Sequence, residues 1–492
     1  MGNTTNKVIP VINSYESFLE FNHILANTKY TRKASIISVD YTKNKIKIVT
    51  EGKEKIVEID DYLVDFVSRQ TYYLESSNLE LLSSYNYSKL YSRIHPDIFL
   101  SDIYDYVKNL VLLGETRFEL CDFEVEIEAG SNPLEIKAIG YNGSNQLDTL
   151  VVPLGVTSIN EFLFYQQKWF KSVRLPNTLK EIGEDSFGDT DIESLFIPSS
   201  VKVICDGAFA NCIHLTELKL SDGLQKIGKM AFSNCRIKSV DLPNTVAIVG
   251  YSAFGDNIPL ERINLSEKLK VISGSLLENS SIYEITIPDS VEEISSNAFL
   301  NNRCLRKVVF PKKLKKIEHN AFYGTRLEEI ILPESVEEIG EGAFANCSNL
   351  SRVVLPKNLK KLGGSAFYRN AIEEITITEG IENIGKHTFQ ECKKLRNIIL
   401  PKTLKAIDES AFQETAIDGI VLPESLEVIR EEAFFKCLNL RSISIPHNLQ
   451  YLGRNAFRCT PLEKTINDLM YNSITLDGKT GVEVIRGEKI YS

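Results

Sequence analysis

The segment Pro333 to Leu355 reads PESVEEIGEGAFANCSNLSRVVL, and the segment before it, Pro311 to Leu332, reads PKKLKKIEHNAFYGTRLEEIIL. The two share an opening proline, a Leu or Val three residues on, an Ile three further, an Ala-Phe pair, and a closing apolar-x-x-apolar-x-apolar run. Self-similarity at a fixed period of this length is the signature of a solenoid. The opening position recurs as Pro153, Pro176, Pro198, Ser221, Pro243, Ser266, Pro288, Pro311, Pro333, Pro356, Thr378, Pro401, Pro423 and Pro446. Successive spacings alternate between 23 and 22 residues, so the true period is a 45-residue pair.

The parts of a unit follow from elementary constraints. The closing run, such as Leu350-x-x-Val353-x-Leu355, predicts a strand of a parallel sheet with its apolar residues inward. Proline can follow because no ladder donor is needed at the strand's end. Val336 to Gly340 predicts a second short extended piece, and Ala343-Phe344 a tight turn. Phe187, Phe209, Phe232, Phe254, Phe299, Phe322, Phe344, Phe367, Phe389, Phe412, Phe434 and Phe457 form one column, interrupted at Leu276-Leu277. That column reads as a core spine, burying apolar surface that no single unit could bury alone.

The unit L-x-x-L-x-L-P-x-x-L-x-x-I-G-x-x-A-F-x-x-C resembles the BspA-like leucine-rich repeat family over about residues 138–466. The resemblance implies a curved, right-handed solenoid with a parallel sheet on its concave side. It also implies an interaction protein, often on a cell surface, with no catalytic residues to carry over. The expected fold is thus a leucine-rich-repeat-like coil of about 14 units over residues 131–466. An α+β N-terminal domain (1–130) would precede it, and a C-terminal cap (467–492) would follow.

Residues 1–130 do not repeat. Ser14 to Ala26 places Phe18, Phe21, Ile24 and Leu25 on one helical face. Ala34 to Tyr41, Lys45 to Thr50 and Lys55 to Ile59 predict a three-stranded antiparallel meander. Asp60 to Leu113 reads as mostly helical and tyrosine-rich, and Arg117 to Glu128 as one strand. At the other end Leu462 to Ile466 reads as a last strand. Ser473 to Leu476 and Val482 to Ile485 read as a hairpin covering the final coil, whose open edge would otherwise invite pairing.

Composition narrows the function. A net charge of −10 over 492 residues argues against a nucleic-acid backbone as partner. No apolar run approaches the ~18 residues of a membrane span. The start, MGNTTNKVIPVINSYESF, lacks a signal-peptide core, and Asn6 stands where myristoylation after Gly2 wants Ser or Thr. These features predict a cytoplasmic protein, with secretion by an unseen signal as the alternative. Cys212, Cys347, Cys392 and Cys437 share one register and read as small buried side chains, too far apart for disulfides. His23, His95, His214, His319, His387 and His447 form no ligand pair of plausible spacing, and no nucleophile elbow, P-loop or dinucleotide fingerprint is present. Neither an enzyme nor a cofactor is expected.

Two outward columns remain. Glu284, Lys307, Glu329, Arg352 and Glu374 alternate in charge, as do Glu292-Glu293, Lys315-Lys316, Glu337-Glu338, Lys360-Lys361 and Glu382. Alternation fixes register, since opposite charges across strands stabilise by roughly 0.2–1 kcal/mol per pair; a charge-reading surface is the other reading. The second column, Val309, Ile331, Val354, Thr376, Ile399 and Val421, should face solvent, where earlier coils carry Arg174, Lys219, Asp241 and Asn264. An exposed apolar stripe marks an interface, whereas β-propensity alone would also favour Val and Ile in strands. The leading expectation is a protein-binding scaffold that contacts another protein, or another copy of itself, through this stripe. The alternatives are a surface adhesin or secreted effector, and an N-terminal domain with its own activity targeted by the repeats.

Overall fold

The computed structural model describes residues 34–40, 45–50, 53–58, 117–120, 123–127, 135–143, 148–153 and 155–466. The chain divides into two compact units, one holding Met1–Ser144, Val151–Ile159 and Leu175–Leu179, the other the remainder. The helices expected at Ser14 to Ala26 and Asp60 to Leu113, and the hairpin expected after Ser473, lie outside the described residues.

In the first unit Ala34–Asp40, Lys45–Thr50 and Lys53–Glu58 form an antiparallel three-stranded sheet. This is the expected meander, with its third strand beginning two residues early. The single strand expected over Arg117 to Glu128 is instead a hairpin, Arg117–Leu120 against Phe123–Ile127. Ile136–Tyr141 pairs antiparallel with its second strand, and Ser158–Ile159 pairs parallel to Ile136–Tyr141. The reversal after Leu120 lets Phe123 and Val125 bury with Ile136 and Ala138.

The second unit is a parallel β-solenoid, within an array of about 14 turns. Each coil has three sides. In the coil from Pro333, the Pro333 carbonyl accepts the Val336 amide at 3.1 Å, turning the chain into the short strand Glu338–Ile339. That strand lies in a five-stranded parallel sheet, with Ile339 between Ile317 and Leu362. A turn follows, then the longer strand Arg352–Val354, parallel to Glu329–Ile331 of the coil before. Along both strand sets one face is apolar and interior: Ile330, Val353, Ile375, Ile339 and Leu362 are all buried.

The turn side is not helical. Two left-handed residues bracket the Ala-Phe position in each coil, as Asn320 and Gly324, Gly342 and Asn346, and Ser365 and Arg369 show. These reversals aim alternate backbone N–H groups at the next coil. Asn320, Phe322 and Gly324 donate to the carbonyls of Glu341, Ala343 and Ala345 at 2.8–3.0 Å. Coils also approach closely beside the short strands. A Cβ on Gly363 would sit 2.4 Å from the Glu341 amide nitrogen.

Above this ladder the phenylalanines stack coil on coil at 4.9–5.8 Å between ring centroids, with planes 1–13° apart. Phe164 extends the column by one coil beyond the sequence expectation. The column breaks between Phe254 and Phe299, where Leu276 and Leu277 replace Ala-Phe and are both fully buried. The short-strand ladder also stops at Ile248–Val249 and resumes at Val271–Ile272.

The 45-residue period has a local cause. In 23-residue coils one extra residue sits in a turn closed from Leu350 N–H to Cys347 O at 2.9 Å. The same turn recurs at Cys212, Asn257, Asn302, Cys392 and Cys437, so two asparagines fill the gaps in the cysteine column. These side chains are more than apolar filler. The Cys347 thiol donates to the Phe322 carbonyl of the coil before at 3.2 Å, and the Asn257 amide to that of Phe232 at 2.7 Å. In 22-residue coils the equivalent Thr325 and Thr415 hydroxyls donate within their own turns, to Phe322 and Phe412.

The last strand expected, Leu462 to Ile466, is a correction: residues 463–466 are helical. Thr460-Pro461-Leu462 leads into that helix, with Pro461 just ahead of it and the acid Glu463 at its first residue. Glu463 reaches back to the Cys459 amide at 2.9 Å.

Two outcomes follow from this packing. Leu277→Phe alone overfills the site beside Leu276 and should cost about 1–3 kcal/mol in chemical unfolding. Adding Leu276→Ala should recover that loss by continuing the column; a single variant as stable as the double would show that Leu276 does not exclude the ring. All eight cysteines among the described residues are free thiols. Burial pushes the Cys347 and Cys392 thiols up to about 12. Iodoacetamide at mild alkaline pH should therefore modify the exposed Cys304 and Cys459 in the native protein, and Cys347 and Cys392 only after denaturation, as read by peptide mass spectrometry.

Candidate partner-binding face

The longer strands position the second outward column. A strand alternates its side chains between faces. With Ile330, Val353 and Ile375 buried, their neighbours must face out. Val309, Ile331, Val354, Ile399 and Val421 are 46%, 52%, 41%, 64% and 75% exposed, and Thr376 is exposed with them. Direct partners across strands are Ile331 with Val354, Thr376 with Ile399, and Thr286 with Val309.

The sequence reading missed one member. Phe196 occupies the same column between Arg174 and Lys219 and is 50% exposed. Lys219, its cross-strand neighbour, sits 5.6 Å from the ring centroid. The 22-residue step from Arg174 points to it. Elsewhere the early column is polar: Lys219, Asp241 and Asn264 are exposed, and the Asn264 amide donates to Asp241.

Two residues before the stripe runs the charged column. Glu284 lies opposite Lys307, and Glu329 opposite Arg352, as expected. Only one of these contacts is an ion pair: Arg352 Nη1 to Glu329 Oε2 at 3.1 Å. Arg352 thus turns toward the preceding coil. Among the described residues Lys307 and Glu374 form no ion pair.

The ladder on the short-strand side behaves the same way. Lys315 bonds Glu292 at 2.7 Å, Lys360 bonds Glu337 at 2.7 Å, and Lys405 bonds Glu382 at 3.0 Å, each reaching one coil back. The expected contacts to both sides reduce to one. Hydrogen bonding to lysine holds the Glu292 and Glu337 carboxyls below the usual range. Such exposed pairs are worth roughly 0–1 kcal/mol each. Their charges are mutually satisfied, which leaves a weak field for a partner to read. No group of three or more His, Cys, Asp and Glu side chains among the described residues could hold a metal ion. No described helix is long and apolar enough to cross a membrane.

A family model described as the BspA type leucine-rich repeat region, six copies long, matches residues 102–212, 134–260, 180–305, 275–392 and 360–475. Among solved structures, a leucine-rich repeat protein from Bacteroides ovatus is 26% identical, with a TM-score of 0.60, covering 68% of this chain and 90% of its own. A leucine-rich repeat protein from Eubacterium ventriosum is 21% identical, with a TM-score of 0.43, covering 68% and 92%. A leucine-rich cell surface protein from Faecalibacterium prausnitzii is 19% identical, with a TM-score of 0.42, covering 69% and 96%. No curated protein matches the chain significantly. The coils, their punctuation and a family match over most of the length show that this chain belongs to the BspA-type leucine-rich repeat family.

Proposed function

We propose that the chain is a non-enzymatic scaffold that binds another protein through the outward face of its longer-stranded sheet. This is the sheet that the family resemblance assigns to the concave side. The observation that carries the reading is the run Val309, Ile331, Val354, Ile399 and Val421, all exposed, in one column interrupted by Thr376. Leucine-rich repeat proteins commonly serve in protein interactions. Contiguous exposed apolar surface on a repeat array marks where a partner removes it from water. β-Propensity alone does not account for it, because the same strand position holds Lys219, Asp241 and Asn264 in earlier coils of like geometry.

The free thiols support a reducing compartment, since secreted proteins generally oxidise theirs. A surface adhesin is the second reading, favoured by what the resemblance implies; cell fractionation separates the two.

Affinity purification from the native source with wild-type chain and with Ile331→Ser/Val354→Ser/Ile399→Ser tests the surface. The triple variant should lose the recovered partner while its thermal midpoint stays within a few degrees of wild type. Undiminished recovery would reject this face as the contact.

A further inference from the structure

Adjacent coils are not held equally, and one junction lacks two kinds of contact. On either side of it the short strands are joined by backbone bonds. The Ala247 amide donates to the Gln225 carbonyl at 3.0 Å and that of Gly250 to Ile227 at 2.9 Å. Two coils on, Glu292 donates to Lys270 at 2.8 Å and Ser295 to Ile272 at 2.9 Å. Across the intervening junction, where the coil from Pro243 meets the coil from Ser266, the Lys270 and Ser273 amides make no such bond among the described residues. The Ser273 hydroxyl reaches the Val249 carbonyl instead. Ile248 and Val271, at equivalent positions on the two strands, are both exposed. Ring stacking fails at the same place. Phe254 stacks on Phe232 at 5.4 Å, but the next coil offers Leu276 and Leu277 in place of a ring. The Phe254 amide reaches the Leu276 carbonyl at 3.2 Å, where the same bond in the other described coils is 2.8–3.0 Å.

Two other junctions show that either loss alone is tolerated. The short-strand bonds also lapse between Lys361–Leu362 and Asn383–Ile384, yet Phe367 and Phe389 stack there at 5.6 Å with planes 12° apart. Between Leu277 and Phe299 the stack is missing, yet Val271–Ile272 pairs with Glu293–Ile294. Among the described coils both contacts are absent together at one place, the junction before Ser266. What joins it are the turn-side bonds of Ser252, Phe254 and Asp256 to Gly274, Leu276 and Glu278, the bond from the Ser281 amide to Leu260, and a few side-chain bonds such as Ser266 Oγ to Val246 at 2.6 Å.

We propose that this junction is a built-in joint, at which the array opens reversibly into two arms while each arm stays folded. A repeat array is stabilised by its coils and by the contact of each coil with its neighbours, so it parts first where that contact is weakest. Three or more coils stand on either side of the junction, enough for each arm to keep a core of its own. Opening breaks the turn-side bonds of Ser252, Phe254 and Asp256 together and uncovers Phe254, Leu276 and Leu277, all fully buried in the closed array. Such sub-global opening is distinct from fraying, because it exposes apolar surface in one cooperative step.

Native-state hydrogen exchange of the full chain in increasing sub-denaturing urea, read by peptide mass spectrometry, tests the joint. The Ser252, Phe254 and Asp256 amides should exchange together, at least about tenfold faster than their counterparts Asn320, Phe322 and Gly324, and should accelerate with urea because opening exposes surface. Ser365, Phe367 and Arg369, at the junction that lacks short-strand bonds but keeps its rings, should stay with the slow group. Leu276→Ala/Leu277→Phe continues the stack and should bring the fast group to within about threefold of the slow one. Thr388→Leu/Phe389→Leu removes the ring where short-strand bonds are already missing, and should make Ser365, Phe367 and Arg369 fast. Equal rates in the wild type, or fast exchange that urea leaves unchanged, overturns the joint. So does a Thr388→Leu/Phe389→Leu variant in which those three amides remain slow.

Discussion

Each coil gives its backbone N–H groups to carbonyls of the next, and the rest of the solenoid depends on that exchange. Phe322 donates to Ala343, Phe344 to Ala366, and Phe367 to Thr388, at 2.8–3.0 Å. A coil in isolation would leave these donors unpaired inside an apolar core, where each costs on the order of 1–3 kcal/mol. The bonds form only where paired left-handed residues turn alternate amides along the stacking direction. Asn, Ser and Gly fill most of those positions, and Asn and Gly adopt that conformation most readily. Phe162, Met230 and Glu432 hold it too, at a local cost that the hydrogen bonds on either side offset.

Because the ladder fixes where the next coil must be, coil length can vary only where an extra residue disturbs no inter-coil bond. The turn closed by Cys347 and Leu350 is such a place. It explains why spacing alternates by one residue, and why a side chain able to donate backward recurs there every 45 residues. Charge follows the same beat. Asp289, Glu334, Glu379 and Glu424 open 23-residue coils, and their carboxylates accept the amides of Lys312, Lys357, Lys402 and His447 one coil on. The alternation of acid and base is therefore tied to backbone capping as well as to ion pairing.

The sequence made the coil boundaries, both strand sets and the phenylalanine spine legible, because each repeats often enough to stand out against unrelated positions. What it hid is of another kind. Phe164 lies in the least regular coil, where FLFYQQKWF offers three candidate phenylalanines and only packing selects one. The buried cysteines look like filler because sulfur's weak donor capacity leaves no trace in a hydrophobicity pattern. Asn257 and Asn302, at the same register, were the readable sign that a donor is wanted there. The helix at 463–466 was misread because Leu462 and Ile466 suit a strand and a helix alike. The decision rests on Pro461 and Glu463, which cap rather than pack.

The same reasoning separates structure from function on the exposed face. Interior positions, left-handed positions and capping positions are dictated by the ladder, so their residues say little about what the protein does. The outward column on the longer strands carries no such obligation. Arg174, Phe196, Lys219, Asp241, Asn264 and Val309 all occupy it on strands of the same side. A position that tolerates any side chain yet turns apolar on the coils around Ile331 and Val354 is answering to something outside the coil. Burying those side chains would return roughly 1–2 kcal/mol each. Among the described residues nothing covers them: Ile331 and Val354 are still 52% and 41% exposed.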